Sequence, residues 1–76
     1  MYAITIRTLN SDNVTEQVQV ASTACTRLGA ENKFNQTVKN CSLPKALIVL
    51  SRIAKPTAEH DYIVDCRIRS QLITNT

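Results

Sequence analysis

Three stretches of this chain alternate apolar and polar residues with a period of two. Residues 2 to 9, YAITIRTL, set Tyr2, Ile4 and Ile6 against Ala3, Thr5 and Arg7. Residues 14 to 21, VTEQVQVA, set Val14, Val18 and Val20 against Thr15, Gln17 and Gln19, with Glu16 interrupting the apolar side. Residues 61 to 70, DYIVDCRIRS, set Tyr62, Val64, Cys66 and Ile68 against Ile63, Asp65, Arg67 and Arg69. A period of two is the repeat of a strand with one face covered and one face wet. The polar cluster NSDN at 10 to 13 joins the first two stretches, so they are expected to form an antiparallel hairpin. The third strand is expected from Asp61 to about Leu72, after a TAEH loop, with TNT fraying at the end.

The middle of the chain carries helical spacing instead. Ser22 or Thr23 can cap a helix, and Ala24, Cys25 and Leu28 fall on one face. Ala30, Phe34, Val38 and Cys41 also share a face, but Leu28 and Ala30 lie about 200° apart around a helix. A short helix, a break near Gly29 and a second helical piece to about Asn40 are therefore expected. Residues 42 to 55 read two ways. As a helix, Leu43, Ala46, Leu47, Leu50, Ile53 and Ala54 form a stripe, with Ser42 as cap, Pro44 in the first turn and Pro56 as stop. As a strand, Ala46 to Leu50 is a continuous apolar run that would pair with residues 61 to 72 in a ββαββ order. The helical reading is preferred, because the polar Lys45 and Arg52 recur seven residues apart.

The expected fold is α+β. A three-stranded antiparallel sheet is covered on one face by helices, in the order β-β-α-α-β, as one small domain over residues 1 to 76. The covered face is expected to hold Ile4, Ile6, Val18, Val20, Val64, Cys66 and Ile68. The open face is expected to hold Thr5, Arg7, Thr15, Gln17, Gln19, Asp65, Arg67 and Arg69. A chain of this length buries only about 60% of the surface its unfolded form exposes, so its core is thin.

No charge run, glycine-rich loop or paired cysteine spacing occurs. The formal net charge is +3, carried by scattered Lys and Arg, and a single glycine excludes a glycine-rich phosphate loop. Cys25, Cys41 and Cys66 are an odd set with one histidine, His60, which disfavours a zinc site or a disulfide framework; buried thiols are expected, Cys66 among them. His60 lies between Glu59 and Asp61, away from any activated nucleophile, so no catalysis, metal or cofactor is expected. No apolar run spans a membrane and no secretory pattern is present, so a cytoplasmic location is expected.

Arg7, Arg67 and Arg69 are the first candidate contact residues, a basic patch on the open sheet face. Arginine's planar fork suits phosphate and carboxylate alike. Lys45, Val49 and Arg52, on the outer side of the stretch at 42 to 55, are the second set. Tyr2 and Tyr62 fall on the apolar side by alternation, which disfavours a base-stacking platform. A hairpin, helical cover and a final strand in a short, glycine-poor chain resemble the small inhibitor proteins that phages encode, the anti-CRISPR-like class. That resemblance lies in layout alone. It implies a non-catalytic protein that binds and blocks a host complex handling nucleic acid. The alternative is a small nucleic-acid-binding protein that uses the basic sheet face directly.

Overall fold

A computed structural model describes residues 1 to 56 and 62 to 75, with side chains described for 1 to 53 and 66 to 75. The elements are β1 (Tyr2–Leu9), β2 (Thr15–Ala24), α1 (Arg27–Asn40), β3 (Lys45–Pro56) and β4 (Tyr62–Thr74). The strands form one antiparallel sheet in the order β2-β1-β3-β4. The expected fold is thereby corrected. Among the described residues the sheet has four strands rather than three, one helix covers it rather than two, and the order is β-β-α-β-β.

The correction falls on residues 42 to 55. From Lys45 onward they form the central strand β3, hydrogen-bonded to β1 on one side and β4 on the other. Ala46, Ile48 and Leu50 are buried on one face, and Val49 and Ser51 on the other. A strand buried on both faces has no wet side. It therefore shows a continuous apolar run rather than an alternation. The helical stripe at these positions is a coincidence of composition, and β-branched Ile48, Val49 and Ile53 suit a pleated strand.

The β1–β2 turn follows its residue types. Asn10 Oδ1 accepts from the N–H groups of Asp12, at 2.9 Å, and Val14, at 3.0 Å. Asn13 takes a left-handed φ of 64°, which Asn tolerates better than most residues.

One helix replaces the two expected pieces. Residues 22 to 24 belong to β2, and the N-cap is Thr26. Its Oγ1 accepts from Gly29 N–H at 3.1 Å. Gly29 therefore sits inside the first turn, where a Cβ would approach Thr26 Oγ1 to 3.0 Å. The helix continues through it without a break. Of the two stripes, the second one faces the sheet. Ala30 and Phe34 are buried, Val38 and Cys41 pack beside them, and Leu28 is exposed.

The core is the meeting of Ala30 and Phe34 with Ile4, Ile48 and Leu50. The chain end is held rather than frayed at Asn75. Its Nδ2 donates to Cys41 O at 3.1 Å and Leu43 O at 2.9 Å, and its backbone N–H to Pro44 O at 2.8 Å. The expected TAEH loop lies outside the described residues.

Phe34 is the largest fully buried side chain. Phe34→Ala is expected to cost about 3–5 kcal/mol, a large share of the stability of so small a domain. Urea unfolding followed by circular dichroism checks this; a loss under about 1 kcal/mol would mean that α1 does not pack here.

Candidate sheet-face interface

Residues directly opposite in an antiparallel pair point to the same face. The helix-covered face is therefore traced outward from Ile4, Ile48 and Leu50. Ile4 opposes Ser22, and Ile6 opposes Gln19. On the far side Leu50 opposes Arg69, and Ile48 opposes Gln71. The other face is read in rows across the strands. One row is Val18, Arg7, Leu47 and Leu72; its neighbour is Val20, Thr5, Val49 and Ser70. A third is Thr23, Ala3, Ser51 and Arg67.

β2 thus has the reverse orientation to the one its alternation implied. Gln17 and Gln19 lie on the helix side, and Val18 and Val20 on the open side. The cause is one residue. Continuing the Leu9–Thr15 register would oppose Ile6 to Val18 and Ile4 to Val20. A shift between Thr8 and Leu9 leaves Glu16 unopposed, so that Thr8 meets Gln17 and Arg7 meets Val18. A slip of one residue turns the strand over from Gln17 to Val20, and a further shift between Ile4 and Thr5 leaves Ala21 unopposed and returns Ser22 to the helix side.

A second shift, between Leu50 and Ser51, separates the arginines of β4. Ile68 is the extra residue, so Arg67 opposes Ser51 on the open face while Arg69 opposes Leu50 on the helix face. The three-arginine patch is therefore corrected: Arg7 and Arg67 share the open face, and Arg69 does not. The Arg69 guanidinium lies 5.0 Å from the centre of the Phe34 ring and 3.9 Å from Glu31 Oε1. It roofs the core. Glu31 also stands 3.7 Å from Arg27, one helical turn back.

The second candidate set divides as well. Val49 is buried in the open-face row, and Lys45 lies on that face at its edge, opposite Thr74. Arg52 is exposed on the helix side, opposite Tyr2 and Cys66. It borders a cleft of about 340 Å³ with Tyr2, Arg27, Cys66 and Ile68. A second cleft, of about 410 Å³, lies between β2 and the C-terminal half of α1, beside Ser22, Lys33 and Cys41. The Ser22 hydroxyl is buried there without a hydrogen-bond partner, while Lys33 Nζ donates to Thr23 O at 2.6 Å.

The open face exposes a group of apolar side chains beside the exposed Arg67 and Ser70. Val18 is 54% exposed and Leu72 51%, with Val20 close behind and Leu47 half-buried. Arg7 lies in the middle of this field. Its Nε is buried and makes no hydrogen bond. Burying a donor without a partner costs about 1–3 kcal/mol. Sequence reasoning placed Arg7 and Arg67 here but missed Val18, Val20, Leu47 and Leu72. The available signal was the apolar run at 46 to 50, read as a strand.

Cys25 and Cys66 are exposed and Cys41 half-buried, all three as free thiols. The expectation that Cys66 is buried is corrected. It lies on the helix side, but β4 is an edge strand, and the thiol opens onto the cleft that it borders with Tyr2 and Arg27. Among the described residues, no group of His, Cys, Asp and Glu is arranged to hold a metal, and no helix is long and apolar enough to cross a membrane. No family profile matches the chain, and no curated protein or solved structure matches it.

Two measurements check this placement. Arg69→Ala should cost about 1 kcal/mol, through its ring contact and ion pair, whereas Arg67→Ala should change stability by less than about 0.5 kcal/mol. Equal effects would contradict the bulge at Ile68. In native labelling with a thiol reagent, Cys25 and Cys66 should react together and well ahead of Cys41.

Proposed function

We propose that this protein is a non-catalytic protein-binding module whose contact surface is the open sheet face. One observation carries the reading: two adjacent rows in which Val18, Val20 and Leu72 reach solvent around a half-buried arginine whose Nε is buried without a hydrogen bond. A small domain gains most by placing its valines in the core. A strand that turns Val18 and Val20 outward and its glutamines toward the helix gives up that burial. Contiguous apolar surface with a polar rim is the composition of a protein contact. Arginine within such a surface is a frequent energetic centre of binding.

Nucleic-acid binding through this face has less support. Arg69 has left it, and Tyr2 and Phe34 lie on the helix side. The described residues of the face thus offer two arginines and an edge lysine, with no ring for a base to stack on. Blocking of a host complex is the form of binding that the resemblance to phage inhibitors implies. Its target would meet Val18 and Leu72 first.

The double substitution Val18→Asp with Leu72→Asp tests the reading. Both side chains are half exposed, so the fold should persist, with a stability change of about 1 kcal/mol or less. A partner captured by the wild type, and shown with purified components to protect β2 and β4 amides from hydrogen exchange, should be lost. Lys39→Ala, on the last turn of α1, is the control that retains it. A partner that binds the double variant at full affinity places the contact elsewhere.

A further inference from the structure

The open face, taken as the contact surface proposed above, also carries information about what covers it. We infer that its partner is a segment of another protein presenting a carboxylate between apolar side chains, and that the carboxylate seats on Arg7.

Arg7 is the residue of the face whose chemistry is incomplete. It stands between Val18 on one neighbouring strand and Leu47 on the other. Its Nε is already withdrawn from solvent and has no acceptor. Covering the face would remove the remaining hydration of this guanidinium. A charge left unpaired in a dry contact is strongly unfavourable, so the covering surface must bring an acceptor. A carboxylate can accept from the two Nη groups of a guanidinium through two parallel hydrogen bonds.

Among the described residues, the face itself does not supply that acceptor. None of its described residues that oppose one another across strands is acidic. Glu16 is the unopposed residue at the rim, next to the turn. Packing two copies face to face would bring two Arg7 and two Arg67 side chains into one contact, with no matching carboxylate among the described residues of either face. Charge complementarity therefore favours a different, acidic partner over self-association.

The dimensions limit the partner further. Four strands about 4.8 Å apart span about 14 Å, and the two rows lie about 7 Å apart along the strands. One amphipathic helix, about 10 Å across, covers that field. Contacts of this size fall in the small, transient class, so the affinity should be near micromolar.

The test is selection from a random peptide display library on the immobilised full chain. Four forms are compared: wild type, Arg7→Met, Arg7→Glu, and the Val18→Asp with Leu72→Asp double variant, each with its fold verified by an amide spectrum. The wild type should enrich peptides with Asp or Glu flanked by apolar residues. A synthetic wild-type-selected peptide should bind Arg7→Met about ten- to a hundredfold more weakly. Arg7→Glu should enrich Lys or Arg instead. Enriched peptides without an acidic residue, or acidic ones insensitive to Arg7, overturn the carboxylate assignment while leaving the open face as the contact. Peptides that bind the double variant unchanged overturn the open-face reading itself, as does failure to enrich any sequence. A concentration-dependent dimer in sedimentation, abolished by Val18→Asp, overturns the assignment in favour of a second copy.

Discussion

The packing of one helical stripe onto two central strands holds the architecture together. β2 and β3 run in the same direction with β1 between them, because each is antiparallel to β1. The chain must cross over β1 to pass from one to the other, and α1 makes that crossing. Ala30 and Phe34 meet Ile4 of β1 and Ile48 and Leu50 of β3, so a single cluster fixes the helix and joins the sheet's two central strands. Without that burial nothing local would set β3 beside β1, since the two are far apart in sequence. β4 pairs with the other edge of β3 and completes the sheet. On the other face Val18, Val20 and Leu72 are exposed at the flanks, while Ala3, Val49 and Ser51 at its centre are buried.

Two extra residues in the strands decide what that open face displays. The one at Glu16 turns Val18 and Val20 outward, and the one at Ile68 sends Arg69 to the helix side while Arg67 stays behind. Each bulge exchanges burial for display. At β2, two valines lose core contact and two glutamines come to lie on the helix side. At β4, the arginine that crosses over finds the Phe34 ring and Glu31, so its charge is used in folding. The face that results is not the polar surface usual for a wet antiparallel sheet. It carries exposed Val18, Val20 and Leu72 around the half-buried Arg7, with Arg67 and Ser70 exposed beside them. A feature that weakens the isolated fold and has no structural use there is best understood through what it would contact.

Much of this organisation was legible in the residues. The alternation in β1, the hairpin around Asn10 and Asn13, the stripe Ala30–Phe34–Val38–Cys41 and the placement of Arg7 and Arg67 on the uncovered face all follow from local pattern and local chemistry. Each depends on side chains close in sequence, whose spacing repeats the geometry of the element they build. The N-cap is also local, although Thr26 rather than Ser22 or Thr23 performs it, because β2 continues three residues further than its alternation suggested.

What the sequence by itself determined, then, is that the chain builds a sheet from alternating strands and covers one side with the helical stripe centred on Phe34. Tertiary structure decided the rest. Residues 46 to 50 are apolar throughout, which satisfies a helix stripe and a doubly buried strand equally well. Only having β1 and β4 as hydrogen-bonding neighbours on its two edges makes the strand the stable answer. The exposure of Val18, Val20 and Leu72 was likewise not local. A strand's period is two, so one unopposed residue in the pairing exchanges its faces, and that register is set by the neighbouring strand rather than by the strand's own sequence.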